Sequence, residues 1–154
     1  MVSTVRTIAG ATIVAGTLDI VAACVLAWQS RGVLPGQVLR FVASGMLGDS
    51  ARQGGVGTAL FGLALHFTIM AVMVSVFVLA AEKLPMLAEK PLVWGPIYGL
   101  GLWCVMNLLV LPLRWPGRYP LHDTAANIGQ LFCHIVLVGA TIGLFAARAR
   151  RSAA

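Results

Sequence analysis

Five polar side chains lie deep inside long apolar stretches of this chain: Asp19, His66, Asn107, Gln130 and His134. Asp19 falls roughly twelve residues into the first stretch, and His66 and His134 each roughly ten residues into the second and fourth. At about 1.5 Å per residue of helix the two imidazoles share a depth, and Asn107 on the third stretch lies within roughly two turns of it. Each belongs to a face at helical spacing. Thr12, Gly16, Asp19 and Ala23 form one; Gly62, His66, Met70 and Met73 another; Trp103 and Cys104 precede Asn107 by one turn; Asn127, Gln130, His134 and Thr141 complete the set. Polar faces turn away from lipid. The expectation is one midplane cluster of Asp19, His66, Asn107 and His134, with Gln130 beside it.

Four chemistries suit such a cluster. Its members could form a hydrogen-bonded plug that sets helix packing, at about 0.6–2 kcal/mol per bond. They could hold a proton or small ligand, since ionisable groups at membrane depth are costly and histidine titrates near neutral pH. His66 and His134 could be axial ligands of a b-type haem, with Met70 or Met73 lining its pocket, although a second histidine pair and a propionate-binding arginine at depth are missing. Asp19, His66 and His134 could ligate a metal; the residue types suit one, but their spacing is not diagnostic. No nucleophile–base motif, phosphate-binding loop or paired carboxylates occur, so no catalytic residue is assigned and a non-enzymatic protein is expected. Cys133 adjoins His134, but neighbours on a helix point about 100° apart and do not pair.

The elements that must position these residues follow from composition. Of 154 residues, 59% are apolar and 10% charged, and the mean hydropathy is +0.91. Soluble domains average about 45–50% apolar and about 25% charged. An integral membrane protein is therefore expected. Four stretches of about 20 residues or more can cross a bilayer core of about 30 Å: about 8–28, 57–81, 92–113 and 125–147. Together they make a single all-α transmembrane domain, a four-helix bundle. The first stretch resembles a signal peptide but is too long and lacks a cleavage site, so it is expected to be a retained anchor.

Boundary chemistry agrees. Asp123 or Thr124 can cap the fourth span. Pro91 precedes the third and Pro96 falls near its first turn, while Pro112 and Pro116-Gly117 end it. Trp28, Trp94, Trp115 and Tyr119 sit where an interfacial aromatic belt would. Between spans one and two, residues 35–50 are too few to span the membrane. Val38, Leu39, Val42 and Met46 form an apolar stripe, with Gln37, Arg40 and Ser44 elsewhere, as in an additional interfacial amphipathic helix. A re-entrant segment is the second choice. Gly54-Gly55 then turns the chain into span two.

The formal charge of +6 comes from eleven Lys and Arg at the ends of apolar runs. That distribution suits topology and anionic headgroups, not nucleic acid. An even span count places Arg6, Lys83, Lys90, Arg148, Arg150 and Arg151 on one side, and Arg31, Arg40, Arg52, Arg114 and Arg118 on the other. The cluster abutting span four favours cytoplasmic termini. Cys24, Cys104 and Cys133 lie within apolar stretches without metal or disulfide spacing. Gly95 and Gly99, and Gly139 and Gly143, form GxxxG pairs for close helix packing, within the bundle or in a homo-oligomer or larger membrane complex.

The run from Leu39 to Gly48, then Gly54-Gly55 and Gly62-Leu63-Ala64-Leu65-His66-Phe67, carries a resemblance. So does Gly95-Pro96-Ile97-Tyr98-Gly99 followed by Val105-Met106-Asn107 and Val110-Leu111-Pro112-Leu113. Together they resemble the YagU-like family of bacterial four-span inner-membrane proteins, over most of the chain from about Leu34 onward. The resemblance implies a bacterial inner membrane, four helices and an interfacial segment after the first. It carries no established activity and assigns no role to His66 or Asn107, which lie within the matching runs.

Overall fold

A computed structural model describes residues 2–117, 119 and 123–152. Among the described residues it is helical throughout, apart from short connections, and has no strand. Six helices follow one another: α1 (Val2–Arg31), α2 (Pro35–Leu47), α3 (Val56–Lys83), α4 (Met86–Glu89), α5 (Pro91–Arg114) and α6 (Thr124–Arg151). A tight turn of helix, Asp49–Gln53, joins α2 to α3. Four of these, α1, α3, α5 and α6, are long and apolar enough to cross a membrane. Each helix extends beyond its apolar core, because flanking Arg, Lys and Thr residues continue the backbone pattern without adding hydrophobicity.

The ends have identifiable causes. Gly32 takes a left-handed φ of 64° and donates its N–H to the Trp28 carbonyl, 2.8 Å away, which closes α1. The Gln37 side chain accepts the Leu34 N–H at 2.8 Å, ahead of Pro35. Asp123 caps α6 by accepting the Ala126 N–H at 3.2 Å. Pro96 is the sixth residue of α5 and so lies past its first turn, where it removes an intrahelical donor.

Antiparallel α1 packs against α3 and α6, and α5 packs along α6. The buried centre is made mostly of small and branched residues: Ala11, Ala15, Val74, Val138 and Ile142. Tyr98 links α5 to α3 by donating its hydroxyl to the Met73 carbonyl at 2.8 Å, with its ring 5.1 Å from that of Phe77. The α5–α6 seam is the tightest. A Cβ at Gly95 or Gly99 would overlap the main-chain carbonyl of Gly139 or His134, and one at Gly143 would stand 2.6 Å from that of Pro91. Small residues let two backbones approach in this way. The remaining helix surfaces are apolar and outward-facing, including Ile13, Val21, Val72, Val76, Leu108 and Leu109. A contiguous coat of this kind suits hydrocarbon and not water.

The amphipathicity of α2 is the reverse of a soluble helix. Its backbone at Leu39 lies on Gly62 of α3, and its buried residues are Ala43 and Ser44. Met46, part of the expected apolar stripe, is 69% exposed, along with Leu34 and Leu47. Arg40 and Ser44, expected elsewhere, face the protein and make hydrogen bonds there. Close approach at Gly62 needs small residues inward, which leaves the large apolar ones to face out.

Candidate functional site

His66 lies ten residues after the start of α3, and His134 ten after the start of α6. Both are therefore about 15 Å of helix from the α2 end of the bundle. Asp19 is twelve residues before the end of α1 and Asn107 seven before the end of α5, or about 18 Å and about 10 Å from that same end. Gln130 is six residues into α6, about 9 Å. Counted along their own helices, all five thus fall in the half of the bundle nearer that end.

Three of the five side chains are held separately there. His66 on α3 donates Nε2–H to the Gly16 carbonyl of α1 at 2.9 Å. A carbonyl can only accept, so the neutral ring carries its proton on Nε2 and leaves the Nδ1 lone pair open. His134 does the opposite. Its Nδ1 donates to the Gln130 carbonyl one turn earlier at 2.9 Å, which leaves Nε2 open. Asn107 donates Nδ2–H to the Trp103 carbonyl at 3.2 Å, and its Oδ1 is buried without a partner. Asp19 lies one turn beyond Gly16 on α1. Among the described residues, no group donates a hydrogen bond to the Asp19 carboxylate.

Asp19 and His66 are therefore brought to neighbouring turns around Gly16. Asn107 is eight residues along α5 from Gly99, the point where α5 meets the His134 backbone, and is displaced from that contact by about 12 Å. No direct hydrogen bond joins any two of the five side chains. Among the described residues no group of three His, Cys, Asp or Glu can hold a metal ion. Asp19, His66 and His134 are thus not assembled as a metal triad. The Nε2 of His66 is committed to α1, so only its Nδ1 is open to an axial role at haem iron.

The helices loosen at two of these residues. Val105–Val110, around Asn107, and Cys133–Ala140, with His134 in its first turn, form the wider turns of a π-helix. Leu111 N–H reaches back five residues to the Met106 carbonyl. Pro112 explains this first stretch, because it has no N–H for the Leu108 carbonyl and its ring crowds that carbonyl. Wide turns of this type are often found at functional sites. Two further polar atoms, Thr12 Oγ1 and Trp103 Nε1, are also buried without partners. Both residues are on the expected polar faces, but nothing in their spacing marks them as unpaired.

Models of known protein families, curated proteins and solved structures contain no match to this chain. Its site is read from geometry alone.

A second polar group was not anticipated. Arg52, Arg114 and Trp115 gather with Phe41 at the α2 end. Trp115, expected on an exposed aromatic belt, is only 9% exposed and stacks on Phe41 with ring centres 4.5 Å apart. Neither spacing nor periodicity links residues this far apart in the chain, so the cluster had no sequence signal.

Proposed function

We propose that this is a multi-pass protein of a bacterial inner membrane, of the YagU-like kind and with cytoplasmic termini, whose midplane layer binds a proton or small ligand. The observation that carries the reading is the Asp19 carboxylate, central in an apolar helix and without a hydrogen-bond donor. An ionisable group in that position is costly to maintain and is a functional candidate by default. The open nitrogens, His66 Nδ1 and His134 Nε2, are further proton acceptors in the same part of the bundle. The unpaired Trp103 Nε1 and Asn107 Oδ1 supply one donor and one acceptor for a small polar guest. The wide helical turns at Asn107 and His134 are of a kind frequent at functional sites.

Infrared titration of the full chain in lipid nanodiscs tests the reading. One carboxylic-acid carbonyl band should resist exchange into deuterated water, disappear in Asp19→Asn, and shift in His66→Gln. If no exchange-resistant band depends on Asp19, the midplane proton site is wrong. A reporter fused at the C-terminus checks the orientation independently.

A further inference from the structure

The α2 end of the molecule holds a second polar site, separate from the midplane layer. Arg114, the last residue of α5, donates Nε–H to the Gly45 carbonyl at 2.9 Å and Nη2–H to the Ser44 carbonyl at 2.6 Å. These are carbonyls of the last turn of α2, where the helix end attracts positive charge; that of Ser44 also accepts the Gly48 N–H at 3.2 Å. Arg52, in the turn after α2, lies with its guanidinium carbon 5.1 Å from the Phe41 ring centre and Nη2 3.5 Å from Asp49 Oδ1. Arg40 Nε donates to the Arg52 carbonyl at 3.2 Å and fixes that turn. The Arg114 guanidinium carbon lies 5.2 Å from the Trp115 ring centre. Two guanidinium groups are thereby held beside one cavity of about 340 Å³, lined by Asp49, Arg52, Arg114, Trp115 and Pro116.

The cluster does not use its donors. Arg52 Nε and Trp115 Nε1 are buried and have no acceptor. The Nη1 groups of Arg52 and Arg114 also bond to no described residue. Among the described residues Asp49 is the only carboxylate lining the cavity, and it pairs loosely with one of the two guanidinium groups. Buried N–H groups are nearly always satisfied in native proteins. The lining is thus rich in N–H and positive charge and poor in acceptors, and four donors outnumber the two oxygens of a carboxylate.

We propose that this cavity binds a phosphate group. Tetrahedral phosphate offers several acceptor oxygens, and the planar guanidinium fork matches them two at a time. The group can come from an anionic lipid headgroup or from free phosphate. The lipid source rests on the membrane reading above, because Arg114 ends α5 and headgroups meet a span at its end. The free-phosphate source does not rest on it.

Full-length protein in detergent micelles is titrated calorimetrically with inorganic phosphate and, separately, with dihexanoylphosphatidylglycerol. Saturable binding of at least one probe is expected, weakened about tenfold or more in Arg52→Gln and strengthened in Asp49→Asn, which removes the competing negative charge. Phosphatidylglycerol that binds and resists displacement by inorganic phosphate identifies a lipid headgroup. Inorganic phosphate that binds more tightly identifies the free ion, and leaves the phosphate site standing whatever becomes of the membrane reading. Asp49→Asn keeps both arginines and decides the matter should Arg52→Gln fail to fold. No saturable binding of either probe, equal binding by Arg52→Gln, or weaker binding by Asp49→Asn overturns the proposal.

Discussion

Gly99 of α5 lies against the main-chain carbonyl of His134 on α6, with no room for a methyl group between them. The same residue thus presents its side chain to the midplane layer and its backbone to the tightest helix seam. Gly99→Ala should force the two helices apart and cost about 1–3 kcal/mol, while disturbing the His134 ring. Gly101→Ala is the control, since a Cβ there meets nothing within 4 Å. Thermal unfolding in detergent should show a lower midpoint for the first variant and an unchanged or higher one for the second. Equal effects would mean that the seam does not close on Gly99.

The bond from His66 Nε2 to the Gly16 carbonyl is a direct polar link between α1 and α3 near the bundle's middle. Interhelical bonds of this kind contribute about 0.6–2 kcal/mol in membrane proteins. His66→Phe should lower stability by that amount, whereas His66→Gln, with an amide N–H that can reach the same carbonyl, should recover part of it. Chemical unfolding in mixed micelles measures both. If Phe and Gln are equivalent, the bond contributes nothing.

How far the chain could be read without coordinates depends on which physics is local. The four long apolar helices follow from hydrophobicity alone, because each apolar stretch is long enough to cross a bilayer core as a helix. The common depth of His66 and His134 follows from equal distances to their helix starts. Rotation and register do not follow. They are set at α2 by Gly62, which admits only the small face bearing Ala43 and Ser44, and so Met46 turns outward. They are set along α5 by the Gly95 and Gly99 contacts, which leave Asn107 two turns from His134. The wide turn at Asn107 was implicit in Pro112, but the one at His134 has no comparable sequence mark. The Arg52–Arg114 cluster depends on a tertiary meeting between the turn after α2 and the end of α5, and so was invisible.

Arg114 pins the last turn of α2 through two carbonyls at once. Arg114→Leu should free that segment, and limited proteolysis should then cut between Gly45 and Gly55 at a rate at least several-fold higher. Arg114→Lys should rescue poorly, since an ammonium cannot hold two carbonyls with a planar fork. Full protection in the lysine variant would show that charge alone holds α2.

Asn107 offers the most direct test of whether the midplane layer has an occupant. Its Nδ2–H goes to a carbonyl of its own helix, a bond that costs little to lose, and its Oδ1 is buried with nothing to accept from. Removing a buried polar group that the protein leaves half unsatisfied is nearly neutral or stabilising when an apolar group of similar shape replaces it. Asn107→Leu should therefore leave stability unchanged or raise it by up to about 1 kcal/mol if only protein atoms surround the amide. If Oδ1 and the neighbouring Trp103 Nε1 bind a water or ligand, the same variant loses about 1–3 kcal/mol, and Trp103→Phe loses a similar amount. The double variant Asn107→Leu/Trp103→Phe then distinguishes a shared guest from two separate ones. Through a shared guest the losses fall short of additive, and through separate guests they sum.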